Sequence, residues 1–85
     1  MHYAYILCSS SHPESRYCGS TSDLKKRLAV HNAGGNVSTR AHRPWKLAWY
    51  AGFPSEKTAL DFEKYLKPAS GKAFARKRLI PDPPQ

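Results

Sequence analysis

Two aromatic-rich runs, HYAYILC at residues 2–8 and RYCG at 16–19, flank the polar, proline-containing segment SSSHPES. Aromatic and branched side chains suit the pleated surface of a strand, and the Ser- and Pro-rich insert marks a connection. The two runs therefore read as a hairpin with a long loop. A chain of 85 residues has room for one hydrophobic core, so the rest of the sequence is expected to close over that hairpin in a single domain.

The remaining elements are set by local chemistry. Ser20-Thr21-Ser22-Asp23 supplies the side-chain acceptors that cap a helix, and the spacing predicts a helix over 24–32. Ala33-Gly34-Gly35-Asn36 ends it, because glycine enters the left-handed region without a steric penalty. NVSTRAHRP (36–44) is a basic loop, and WKLAWYAGF (45–53) a third strand. Ser55 caps a second helix running to about Lys67, where Pro68 interrupts it because its ring and missing N–H oppose continuation. ASGKAFARKRL (69–79) reads as a short basic third helix. The resulting order, β-β-α-β-α-α, implies an α+β fold: a three-stranded, mostly antiparallel sheet flanked by helices. The domain is expected to span 1–79, with 80–85 a disordered proline-rich tail.

Composition narrows the partners. Lys and Arg number 14 against 6 Asp and Glu, a net charge of +8. Such a density favours a polyanion, whose phosphates supply affinity that falls as salt rises. Cys8 and Cys18 sit in apolar runs without secretory context, so a disulfide scaffold is not expected. The Cys and His spacings do not fit a structural zinc site. No stretch approaches the roughly 18 apolar residues of a membrane span. The default expectation is a soluble, cytoplasmic protein.

Periodicity isolates several residues whose chemistry exceeds a structural role. On the first helix Leu24, Leu28 and His31 share a face with Arg27 at its edge, while Lys25 and Lys26 point to solvent. This set reads either as an arginine and histidine supporting the core or as a guanidinium and imidazole presented side by side. On the second helix Ala59, Phe62 and Leu66 form an apolar stripe, and Glu63 falls inside it. A carboxylate there needs a cationic partner, either a metal ion or an arginine. Tyr3 and Tyr5 share one face of the first strand and Tyr17 lies across the hairpin, positions usually filled by core aromatics.

At these positions the sequence resembles the GIY-YIG nuclease superfamily. Tyr3-Ala4-Tyr5 and Tyr17-Cys18-Gly19 stand where its two tripeptides would be, with Tyr5, Tyr17 and Gly19 matching. Arg27 and His31 come ten and fourteen residues after Tyr17, and Glu63 lies in FEKYLK, similar to the family's metal-binding helix. HRPWKLAWYAGFPSEKTALDFE looks like the small bacterial members and the eukaryotic structure-specific repair endonucleases. The likeness covers roughly residues 3 to 79. Ser20 stands where some members carry a basic residue. Only Ser70, Lys72 and Arg76 lie near the place where some carry an Asn downstream of the glutamate.

The resemblance implies a metal-dependent endonuclease acting on nucleic acid, DNA before RNA, with repair or recombination as its setting. Glu63 would hold one divalent cation, Mg²⁺ first and Mn²⁺ second. Arg27 would bind the scissile phosphate, and Tyr17 would be the base, with Tyr5 holding the water or sharing its proton, and His31 joining that relay or only orienting Tyr17. Arg40, His42 and Arg43 of the basic loop, with Lys72, Arg76, Lys77 and Arg78, would track the phosphate backbone. A noncatalytic nucleic-acid-binding module, or a subunit acting with a protein partner in a repair complex, is the competing expectation.

Overall fold

The computed structural model describes residues 1–80; the expected tail beyond Ile80 lies outside the described residues. Three strands form one sheet in the order β2-β1-β3: β1 (His2–Ser9), β2 (Arg16–Thr21) and β3 (Trp45–Phe53). Both pairings are antiparallel. Three helices complete the fold: α1 (Leu24–Asn32), α2 (Glu56–Leu66) and α3 (Ala69–Phe74), the last running into a π-helical turn at Ala75–Leu79. The architecture is the α+β arrangement expected, with the sheet antiparallel throughout.

The central strand explains the layering. Ala4, Tyr5, Ile6 and Leu7 are each at most 2 % exposed, so β1 is covered on both faces. Tyr5 and Leu7 point one way, joining Trp45 and the half-buried Tyr17, Leu24, Leu28 and Leu47 beneath α1. Ile6 points the other way, joining Leu66, Ala75, Phe62 and Trp49 beneath α2 and α3. Burying one such aliphatic side chain contributes about 1.5–3 kcal/mol, so the two clusters hold the helical layers on opposite faces.

Several boundaries differ from the sequence expectation. β2 extends to Thr21 because Thr21 still pairs with Tyr3, leaving Asp23 alone to cap α1 through Lys26 N at 3.0 Å. Ser55 caps α2 as expected, accepting from Thr58 N at 3.2 Å. Gly34 takes φ +83° just past α1, the left-handed stop expected for this segment. The third helix is not uniform: after Phe74 its bonding widens, and Ile80 N donates to Ala75 O at 2.7 Å. The 36–44 loop contains a 3₁₀ turn at Arg40–His42. Cys8 and Cys18 are both free. Among the described residues no helix is long and apolar enough to cross a membrane.

Candidate active site

The hairpin register builds the centre of the site. Tyr5 pairs with Gly19, and Leu7 with Tyr17, so both tyrosines face α1. The Tyr5 ring lies over Gly19, where a Cβ would stand only 2.6 Å from its Cζ. From there the phenol reaches α1, and Tyr5 Oη lies 2.9 Å from His31 Nε2. His31 is fully buried, and its Nδ1 lies 2.8 Å from the hydroxyl of Thr39, itself fully buried. Tyr17 is half-buried, with its ring centroid 5.0 Å from that of His31 and 6.4 Å from that of Tyr5.

Electrostatics separates these groups. Burial pushes the Tyr5 phenol well above the ordinary tyrosine range; Tyr17 adds to the rise, and Arg27 opposes it. Burial also lowers His31, and the Arg27 guanidinium lowers it further, so the imidazole is kept neutral. Arg27 itself is exposed, one turn before His31, and has no ion-pair partner among the described residues. A cation thus stands open to solvent beside a buried, hydrogen-bonded phenol–imidazole couple.

The opposite layer supplies the acid. The Glu63 side chain is 15 % exposed, and its Oε2 lies 2.7 Å from Lys67 Nζ. The compensating charge for the carboxylate is therefore a lysine one turn on, not the arginine considered from sequence. The order Glu-then-Lys at i,i+4 is the favourable one on a helix. The hydrogen bond to Glu63 raises Lys67, with smaller contributions that include Tyr17 and Cys18. Glu63 in turn adds to the rise at Tyr5. The α2 pair and the hairpin tyrosines therefore influence one another electrostatically. Sequence reasoning misses Lys67 and Thr39. Lys67 has a signal in its i,i+4 spacing, whereas Thr39 is one polar residue in a polar loop.

No group of three or more His, Cys, Asp or Glu side chains suited to a metal is found among the described residues. One carboxylate fits a hard cation that retains most of its water, and does not fit a zinc-type cage.

The basic residues divide into two sets. In the loop, Arg40 Nε donates to Gly34 O at 3.0 Å and Arg43 Nε to Arg40 O at 2.9 Å. His42 is half-buried, with Nδ1 2.8 Å from Ser15 Oγ and its ring stacked on His12 at 3.9 Å. These three side chains brace the loop, and the two arginines also bring positive charge to it. Lys72, Arg76, Lys77 and Arg78 are exposed. Lys72 and Arg76 border a cavity of about 310 Å³ floored by Ile6, Cys18 and Leu66. That cavity lies on the α2–α3 side of β2, where Cys18 feels both Lys67 and Lys72.

An antiparallel three-stranded sheet between helical layers, with two hairpin tyrosines, an α1 arginine and histidine, and an α2 glutamate, defines a nuclease of the GIY-YIG class. A model of the GIY-YIG catalytic domain matches residues 1–78, and the chain belongs to that family. It is 42 % identical over 67 residues to a UPF0213 protein of Streptococcus pneumoniae, covering 78 % of this chain and 68 % of that one. A UPF0213 protein of Bacillus pumilus is 41 % identical over 68 residues, covering 78 % and 66 %. The structure-specific endonuclease subunit slx1 of Schizosaccharomyces japonicus is 44 % identical over 69 residues, covering 74 % of this chain and a quarter of its own.

Proposed function

We propose that this nuclease is a metal-dependent endonuclease of structured DNA. The carrying observation is the exposed Arg27 guanidinium beside the buried Tyr5–His31 couple, with the Glu63 carboxylate near enough to add to the rise at Tyr5. A guanidinium so placed can make planar, charge-assisted hydrogen bonds to a phosphate. Half-buried Tyr17 holds the attacking water and takes its proton as its own phenol proton passes to solvent. Tyr5 stays protonated, bonded to His31, and fixes the wall against which that water sits. Glu63 would hold a divalent cation, magnesium by preference, which when bound supplies Lewis-acid stabilisation of the phosphate and departing oxygen. Lys67 orients the carboxylate. Lys72 and Arg76, with Lys77 and Arg78 beyond them, hold the flanking backbone without reading sequence.

The similarity to a structure-specific endonuclease subunit supports branched DNA as the substrate, repair or recombination as the setting and a protein partner. Two free cysteines accord with a reducing compartment, the cytoplasm. The test is cleavage of single-stranded, duplex, flap and branched DNA, and of matching RNA, with Mg²⁺ or Mn²⁺ and with chelator. Cutting of branched DNA that requires metal is expected. Salt-sensitive binding without cleavage under any metal would establish a noncatalytic binding module instead.

A further inference from the structure

The 36–44 loop reaches the candidate site through one residue, Thr39. Its side chain is fully buried, an uncommon place for a loop threonine, and a three-sided frame holds it there. Trp45 Nε1 donates to Thr39 O at 2.8 Å, and Thr39 N donates to Asn36 O at 3.2 Å. Asn32, at the end of α1, clasps the backbone of Trp45 in both directions: Nδ2 to Trp45 O at 3.1 Å, and Trp45 N to Oδ1 at 2.6 Å. The end of α1, the loop and the start of β3 thus form one rigid frame around the Thr39 hydroxyl.

The partners of the buried phenol decide the state of His31. Tyr5 is 2 % exposed, and His31 Nε2 is the one hydrogen-bond partner of its phenol among the described residues, so the phenol proton goes to Nε2. Nδ1 then carries the imidazole hydrogen and donates it to Thr39 Oγ1 at 2.8 Å. A threonine hydroxyl has one proton to give, and Asn36 O, a long 3.4 Å away, is where Thr39 can send it. The opposite tautomer would leave both the Tyr5 proton and one Thr39 lone pair without a partner, in a region of low dielectric.

We propose that Thr39 is a positioning residue of the active site, which fixes His31 as the Nδ1–H tautomer so that Nε2 anchors the Tyr5 phenol. The inference rests on the nuclease reading for its kinetic consequence but not for its structural one. Thr39 touches no substrate; it acts through His31 on Tyr5, and through the Tyr5 ring on the water held by Tyr17. A loop that composition marks as a phosphate-binding surface carries on its inner side the residue that sets the proton arrangement of the site.

The test begins on the protein without substrate. Long-range ¹⁵N–¹H correlation of the His31 ring at about pH 7.5, above the ordinary histidine range, reads the tautomer directly, and Nδ1–H is the expected result. An Nε2–H pattern in the wild-type protein would overturn the proposal whether or not the protein cleaves DNA. Thr39→Val keeps the shape and removes the hydroxyl, and Thr39→Ser restores it. For Val, the expected outcome is a mixed tautomer and a fall in kcat of at least about tenfold with KM for DNA little changed. Ser should recover both the tautomer and kcat. A folded Val variant with wild-type tautomer and kcat also overturns the proposal, and the wild-type measurement decides it should Val fail to fold.

Discussion

Gly19 and Tyr5 face each other across the β1–β2 ladder, and the Tyr5 phenol occupies the space a side chain at 19 would need. Gly19→Ala must therefore displace the ring and stretch its bond to His31. Overpacking of this kind costs about 1–3 kcal/mol, so denaturant unfolding should show a loss of that size, accompanied by reduced cleavage. Wild-type stability in the Ala variant would show that the ring can move aside freely.

Arg27 is exposed, and its removal should leave the fold intact while lowering cleavage by about two to three orders of magnitude, as for loss of one preorganised donor to developing charge. A second consequence can be read without substrate. Because Arg27 helps to lower His31, Arg27→Ala should raise the His31 titration midpoint in an NMR pH series. A midpoint that stays put would separate the two residues electrostatically.

Metal removal should stop catalysis without loosening the protein. Lys67 already neutralises Glu63, so no unpaired buried carboxylate there depends on a cation for compensation. Chelator should abolish cleavage and leave Tm unchanged, whereas Glu63→Gln should abolish cleavage in the presence of metal. A large fall in Tm with chelator would reveal a structural ion.

Stability should decline at both ends of the pH scale for different reasons. His31 titrates below its ordinary 6.5 in the folded state, so below about pH 6.5 the unfolded chain takes up protons that the native imidazole resists. Unfolding free energy should fall as pH drops through that region, and His31→Gln should flatten the acid limb. Tyr5 titrates above its ordinary 10 when folded, so above about pH 10 the unfolded phenol ionises first and stability falls again. Tyr5→Phe should flatten the alkaline limb.

Lys72 and Arg76 are exposed around the cavity behind β2 and are expected to bind phosphates. Replacing each with Ala should weaken DNA binding and reduce the slope of log K against log salt by about 0.7–0.9 for each phosphate left unneutralised. An unchanged slope would place the DNA elsewhere.

Much of this architecture is legible in the sequence because it rests on local signals: aromatic runs for the strands, the capping run at 20–23 and Ser55 for the helix starts, the glycine pair within 33–36 for a helix end. The stripe on α2 marks Glu63 as an anomaly, and the i,i+4 arithmetic that points to Lys67 lies beside it. Thr39 is out of reach, because its role depends on contacts with His31 on α1 and Trp45 on β3 that no periodicity encodes. The doubling of Arg40 and Arg43 as loop braces is hidden for the same reason: charge is read from composition, and hydrogen-bond partners are not. The π-helical widening after Phe74 likewise has no compositional mark.

Strand β1 turns Tyr5 and Leu7 to one helical layer and Ile6 to the other, so the proposed catalytic groups are recruited from both sides of a single sheet. The hairpin with α1 has the tyrosines and the guanidinium but not the carboxylate; α2 has the carboxylate alone. On the proposed roles, a chain with either layer undocked should be catalytically silent. Turnover should vanish along the same melting curve as the backbone signal, which makes cleavage a sensor of global cooperativity rather than of local order.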